Sequence, residues 1–308
     1  MRCLVTGGSG FIGQHIVRAL SDEGHEVVIF DVNKPDFSLE PNMRFVEGDV
    51  RYADNLLDAV HGVDEIYNVA SLLGTSELMW DCTRAVDTNV NGMLNVLKIA
   101  VERDVKRVFY PTKPNEWLNT YSISKFAAER FCQMYAANFG LHVVSLKWFN
   151  AYGRRQKIYP VRKAIPTFIA QALRDVPIEI WGDGTQTVDL IHVEDIARIA
   201  IDVTRNDELP LNKVCDVGSG IAITVNQLAE RIKRLTDSNS EIVHHDMRPG
   251  EPISSDIHAD VTSLRRYVDL NLRDLDEGLS DTVDWYSTLA DYQLDAALAY
   301  FESKRVLA

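Results

Sequence analysis

Tyr121 and Lys125, in the run Tyr121-Ser122-Ile123-Ser124-Lys125, have the spacing that most directly suggests chemistry. Four residues apart on a helix, they share a face. An ammonium beside a phenol favours the phenolate and is expected to lower the tyrosine pKa from about 10 toward neutrality. A phenolate can take the proton of a hydroxyl while hydride leaves the same carbon for a nicotinamide. Alone the pair means little, because surface helices often carry it. Its weight comes from the turn that opens the chain, Val5-Thr6-Gly7-Gly8-Ser9-Gly10-Phe11-Ile12-Gly13. An apolar run, Cys3 to Val5, stops at glycines, and helix-period residues follow from Phe11 to Leu20. Gly7, Gly10 and Gly13 leave no side chain between the backbone and a phosphate over the helix N-terminus, where free N–H groups and the helix dipole favour an anion. A second strand, Glu26-Val27-Val28-Ile29-Phe30, ends in Asp31. That carboxylate is placed to accept from an adenosine ribose and to repel a 2′-phosphate. The turn therefore reads as a nicotinamide or flavin dinucleotide site, with NAD favoured over NADP. Lys34 and Arg51 are nearby cations that could accommodate the extra phosphate.

The elements that must hold these residues alternate regularly. Arg44 to Val50 reads as a third strand, Asn55 to Val60 as a short helix and Glu65 to Ala70 as a fourth strand. Small residues at its end, Ala70 and Ser71, would let a cofactor lie across the sheet edge. Thr88 to Glu102 has apolar residues at helical spacing, Lys106 to Tyr110 is a fifth strand, Ser122 to Asn138 a helix and His142 to Leu146 a sixth strand. This pattern predicts an α/β fold: a Rossmann-type, doubly wound parallel sheet with helices on both faces and a ligand beyond the strands' carboxyl ends. From Gly153 the texture changes. Arg154, Arg155, Lys157, Arg162 and Lys163 form a basic stretch, suited to an anionic substrate. The expected division is a dinucleotide-binding domain over 1–153, with 186–218 returning to it, and a smaller C-terminal α/β substrate-binding domain over 154–185 and 219–308.

Almost half of the 308 residues are apolar, enough for a substantial core, and no run reaches the ~20 apolar residues of a membrane span. The formal charge of −13 argues against a nucleic-acid or anionic-membrane surface. Cys3, Cys82, Cys132 and Cys215 are far apart, without zinc spacing. The expectation is buried, reduced thiols in a cytoplasmic protein that starts directly with a strand.

With these pieces in order, the chain resembles an extended short-chain dehydrogenase/reductase of the NAD-dependent nucleotide-sugar epimerase/dehydratase kind. The resemblance runs from residue 2 to about 286. Besides the glycine turn and the Tyr121/Lys125 pair it is carried by Gly48-Asp49-Val50, Asn89-Val90-Asn91-Gly92, Phe149-Asn150-Ala151-Tyr152-Gly153, Gly182 to Thr187, Ile191 to Asp195 and Arg248-Pro249-Gly250-Glu251. It implies that Phe11 and Ile12 flank the pyrophosphate, that Asp31 holds the ribose and that Asp49 and Val50 border the adenine. Val69, Ala70, Ser71 and Phe149 would line the nicotinamide side, with Asn89 ordering the loop above and Lys125 bonding the nicotinamide ribose. Asn150 and Arg248 resemble the grip on a substrate diphosphate, and Glu251 a uridine-ribose contact.

Two departures bear on the reaction. The third catalytic member, a Ser or Thr beyond the fifth strand, aligns with Thr112, only nine steps before Tyr121. Relatives place a much longer segment there. The pocket is then more open, or the C-terminal part covers it differently, or the hydroxyl comes from Ser71 or Thr75. Second, Val188 stands where relatives commonly have a diphosphate-binding arginine, a role that Arg162 or Lys163 could fill. The acids that dehydratases and decarboxylases use after the hydroxyl are replaced by Lys113 and Pro114; Glu116 would need an unusual loop path. What remains needs only Tyr, Lys and NAD: a 4-epimerase of a UDP-hexose or UDP-hexuronate. The alternatives are an unusual dehydratase or a non-catalytic NAD-sensing or scaffold protein. A homodimer through helices 89–102 and 122–138 is also expected.

Overall fold

A computed structural model describes residues 1–211, 213–252 and 255–305, of which 304 and 305 as backbone only. In chain order the elements begin β1 (Arg2–Thr6), α1 (Phe11–Asp22), β2 (Glu26–Asp31), β3 (Met43–Glu47), α2 (Ala53–Leu57) and β4 (Glu65–Asn68). They continue α3 (Cys82–Val86), α4 (Gly92–Glu102), β5 (Arg107–Thr112), α5 (Thr120–Phe139), β6 (His142–Trp148) and β7 (Asn150–Tyr152). The remainder is α6 (Ala164–Leu173), β8 (Ile178–Trp181), β9 (Thr187–His192), α7 (Val193–Thr204), β10 (Val214–Val217), β11 (Ala222–Thr224), α8 (Val225–Leu235), β12 (Ile242–His245), α9 (Leu275–Ser287) and α10 (Asp291–Arg305).

Seven strands form one parallel sheet in the order β10-β6-β5-β4-β1-β2-β3. β1 and β4 are buried almost throughout, and β1 accordingly reads as a continuous apolar run, Cys3 to Val5, rather than an alternating one. The chain runs outward from β1 to β3 and then crosses back to start again at β4. The carboxyl ends of β1, β2 and β4 thus meet at the reversal of strand order, where doubly wound sheets bind ligands. One sheet face is covered by Ile16, Val17 and Leu20 of α1 with Ile196, Ile199 and Val203 of α7. The other is covered by Leu56 of α2, Val96 and Leu97 of α4 and Ala128 and Cys132 of α5. A third core lies outside the large sheet, between α6, α8, α9 and α10, with Phe168, Leu228, Leu279 and Phe301 at its centre. Two small sheets, β11-β9-β7 and β12-β8, complete this part.

Three details differ from the sequence reading. The short helix is displaced to Ala53–Leu57, with Leu56 buried in it and the equally buried Ala59 and Val60 beyond its end. The helix expected from Thr88 starts as a wide π turn over Asp87–Asn91, and regular α-helix begins only at Gly92. Gly92 lies so close to Val50 that an added Cβ would sit 2.7 Å from its Cγ2. All four cysteines are free, but only Cys3, Cys132 and Cys215 are buried; Cys82 is exposed, at the start of α3. Among the described residues no helix is long and apolar enough to cross a membrane.

Candidate active site

The glycine turn is held by backbone bonds from both sides. Gly7 N donates to the Phe30 carbonyl at 2.8 Å, and Gly10 N to the Gly7 carbonyl at 3.0 Å. Gly7 sits at φ +69°, and a Cβ there would lie 2.7 Å from the Ala70 nitrogen. A Cβ on Gly13 would lie 2.8 Å from the Gly8 Cα and closer still to the Gly7 carbonyl oxygen. Gly10 starts α1 without any side-chain cap, and the first turn holds no acid. The N-terminal N–H groups therefore face outward unsatisfied, a cradle that suits a pyrophosphate. Asp31 ends β2 beside it; Oδ2 accepts from Ser9 N at 3.1 Å and Oδ1 from Asn33 N at 3.0 Å. Arg51 is turned onto Asp49 at 2.6 Å, which holds the Asp49 carboxyl below the usual range even against the opposing effect of its partial burial. The residues fit an NAD.

Beyond β4 the chain is pinned by Asn89. Its Oδ1 accepts from Leu72 N at 2.7 Å and Ser71 Oγ at 2.9 Å, while its Nδ2 donates to the Leu72 carbonyl and to Ser124 Oγ, both at 2.9 Å. One buried amide thus fixes the segment 69–72 against α5. Val50 is buried, with its carbonyl accepting from Asn95 at 2.8 Å. Phe149 is buried too, its N–H donated to the Val217 carbonyl at 3.1 Å.

Tyr121 and Lys125 lie in the first turns of α5, whose N-cap Asn119 accepts from Ser122 N at 2.9 Å. Their ionisation differs from the sequence expectation. Burial pushes Tyr121 up to about 12, opposed only by a hydrogen bond with Ser71, and burial pushes Lys125 down to about 7. The Lys125 ammonium lies 4.1 Å above the ring of Tyr110. Desolvation outweighs the pairing that spacing alone suggests.

Thr112 is likewise not where a sugar-binding hydroxyl was expected. It is 2 % exposed, and its Oγ1 donates to Glu129 of α5 at 2.7 Å. The end of β5 turns Thr112 toward the helix and the next residue, Lys113, into a cleft. There the Lys113 Nζ stands 4.6 Å from the Tyr121 ring centroid. Glu116 is exposed and takes no part in the cleft.

That cleft brings together Asn150, Arg162, Lys163, Val188, Arg248 and Glu251. Arg162 pairs with Glu179 at 3.2 Å and lies 4.4 Å from the Trp181 ring; Arg248 pairs with Glu251 and also faces Trp181. The rest of the basic stretch goes elsewhere: Arg154 pairs with Asp281, Arg155 with Asp36, and Lys157 is exposed. Acidic partners on distant elements withdraw those charges from the site. The turn 248–251 closes the cleft over the short segment after β5. Asn119 donates to the Gly250 carbonyl at 3.0 Å, and Ser76 to the Pro249 carbonyl at 2.9 Å.

A family profile described as "NAD dependent epimerase/dehydratase family" matches residues 3–218. The chain belongs to that family. Among curated relatives it is 28% identical to a UDP-N-acetyl-alpha-D-glucosaminuronate decarboxylase of Bacillus cytotoxicus, over 92% of this chain and 97% of the relative. It is 27% identical to a putative UDP-glucose 4-epimerase of Methanocaldococcus jannaschii, with the same coverage. Among solved structures it superposes with a TM-score of 0.84 on the UDP-N-acetylglucosamine 4-epimerase of Methanobrevibacter ruminantium in complex with UDP-N-acetylmuramic acid. The identity is 28%, over 93% of this chain and 99% of that one. As a family member, the protein is a nucleotide-sugar enzyme whose family uses NAD. Sequence reasoning missed Lys113 as a cleft residue. The available signal was its place one residue beyond the buried end of β5.

Proposed function

We propose that the protein is an NAD-dependent nucleotide-sugar 4-epimerase acting on a UDP-hexose or UDP-hexuronate. Gly7, Gly10, Phe11, Ile12 and Gly13 hold the cofactor pyrophosphate, Asp31 the adenosine ribose and Asp49 with Val50 the adenine. Val69, Ala70, Ser71 and Phe149 border the nicotinamide, and Lys125 bonds its ribose. Bound there, NAD accepts a hydride from the sugar C4 and returns it. Tyr121 takes the C4 hydroxyl proton and later gives it back, and the cleft lets the keto-sugar turn over between the two events. Arg248, Arg162 and Asn150 hold the substrate diphosphate, and Glu251 the uridine ribose.

The observation that carries this choice over decarboxylation or dehydration is the state of the acids. Glu77 accepts from the Arg162 N–H, Glu179 pairs with Arg162, and Glu251 pairs with Arg248. Beyond Thr112 come Lys113 and Pro114. No carboxylate among the described cleft residues is left beside Tyr121 for a second proton transfer. Incubating the purified enzyme with UDP-sugars tests the reading. A C4 epimer of unchanged mass is expected, and a lighter product would refute it.

Asp31→Ala is expected to weaken NAD binding about tenfold and to narrow the preference over NADP, because a charged acceptor for the ribose is lost. Fluorescence titration with both cofactors reads this directly. We also propose a homodimer through α4 and α5, supported by Ile123 and Met134, which are 56 % and 38 % exposed and three turns apart on one side of α5. Light scattering should give twice the chain mass; a monomer at micromolar concentration would contradict it.

A further inference from the structure

Lys113 is the cleft residue that the proposed function leaves unused. It is half-buried, with its Nζ 4.6 Å from the Tyr121 ring and 5.9 Å from that of Trp117. The charged groups that face it are Lys125 on α5, Lys163 just before α6 and Glu251 on the 248–251 turn. Among the described residues no carboxylate lies within ion-pair distance of its Nζ. A surface lysine stretches its head into water. This one ends among aromatic rings and other cations, in the cleft that would take the sugar. Desolvation and Lys163 push it down to about 7, with Glu251 opposing. A cation placed there without a counter-ion is costly unless a ligand compensates it. Thr112, meanwhile, donates its hydroxyl hydrogen bond to Glu129 and does not line the cleft.

We propose that Lys113 is a catalytic residue, donating an N–H hydrogen bond to the sugar oxygen whose proton Tyr121 removes, in the role first assigned to the Thr112 hydroxyl. The assignment rests on the epimerase reading of the same site. Lys113 forms and breaks no covalent bond. The oxygen loses its proton to Tyr121 and becomes a carbonyl oxygen, and the ammonium stays hydrogen-bonded to it as negative charge grows and then leaves. A charged donor stabilises that oxygen more than a hydroxyl does. It also favours the phenolate form of a tyrosine that burial holds protonated.

The test compares the wild-type holoenzyme with Lys113→Met, Lys113→Arg and Thr112→Val, using UDP and UDP-glucose as calorimetric probes alongside turnover. Lys113→Met is expected to weaken UDP-glucose about tenfold while leaving UDP within about twofold. Its kcat is expected to fall about a hundredfold, as for loss of one oxyanion donor. Thr112→Val should leave both affinities and kcat within about threefold, since it lies outside the cleft. The ammonium is the donor form, so wild-type kcat/KM, which reports the free enzyme, should fall as pH rises through about 7. Lys113→Arg stays charged and should recover part of kcat, with a shallower fall of kcat/KM, Lys125 retaining its own share. Equal weakening of UDP and UDP-glucose in Lys113→Met, no weakening of either, or the larger loss in Thr112→Val would each overturn the assignment. Sugar-dependent binding judges it even if the wild type makes a product other than the C4 epimer, an outcome that would instead refute the epimerase reading.

Discussion

Tyr121→Phe is expected to lower turnover by about a thousandfold or more, the upper range for loss of a positioned acid–base group. The substitution removes one oxygen and keeps the ring beneath Lys113, so bound NAD and UDP affinity should stay within about twofold of wild type. The effect is large because the described carboxylates and hydroxyl nearest Tyr121 are already engaged. Glu251 and Glu179 are paired with arginines, and Thr112 is bonded to Glu129. Burial holds the phenol up to about 12, so the group starts protonated at neutral pH. Its removal of a proton depends on the cations around it becoming effective in the bound complex. Turnover of a UDP-sugar, with NAD content measured on the same samples, checks this. Preserved turnover would remove Tyr121 from the mechanism.

Gly13→Ala is the second large effect. An added Cβ meets backbone only: the Gly8 Cα at 2.8 Å and, nearer, the Gly7 carbonyl. No flexible side chain can yield there, so the turn itself must open. That displaces the N–H groups of α1 from the phosphate position and disturbs the Gly10-to-Gly7 bond. Purified Gly13→Ala should carry little NAD and lose about 3 kcal/mol of stability, the upper end for forced overpacking beside rigid neighbours. Absorbance of the cofactor released on denaturation and a thermal melt read the two consequences separately. Normal NAD content would mean that the pyrophosphate is not held at this turn.

Much of the fold was legible because it is written in short-range patterns. Strand β1, the glycine turn and α1 are contiguous, and Asp31 follows at the end of the next strand. Tyr121 and Lys125 share a helix turn. What escaped the sequence depends on contacts between distant segments. Whether Thr112 or Lys113 enters the cleft is decided by Glu129, seventeen residues further on, which captures the threonine hydroxyl. The covering of the short segment after β5 depends on Gly250 meeting Asn119, across 131 residues. Of the basic stretch, Arg154 is drawn to Asp281 and Arg162 to Glu179. Charge in a sequence shows that cations exist, not which of them remain at a site. The Tyr121 ionisation was misjudged for a related reason: spacing reports the neighbouring lysine but not the desolvation that opposes it.

The most direct test of the central reading is a single product analysis. The purified holoenzyme is incubated with UDP-glucose and, separately, UDP-glucuronate carrying deuterium at C4, and the nucleotide sugars are followed by mass spectrometry and proton NMR. The epimerase reading predicts a mixture of the two C4 epimers of one of these substrates, with unchanged mass and the deuterium retained at C4. A product lighter by carbon dioxide or by water, or loss of the C4 label to solvent, would contradict it.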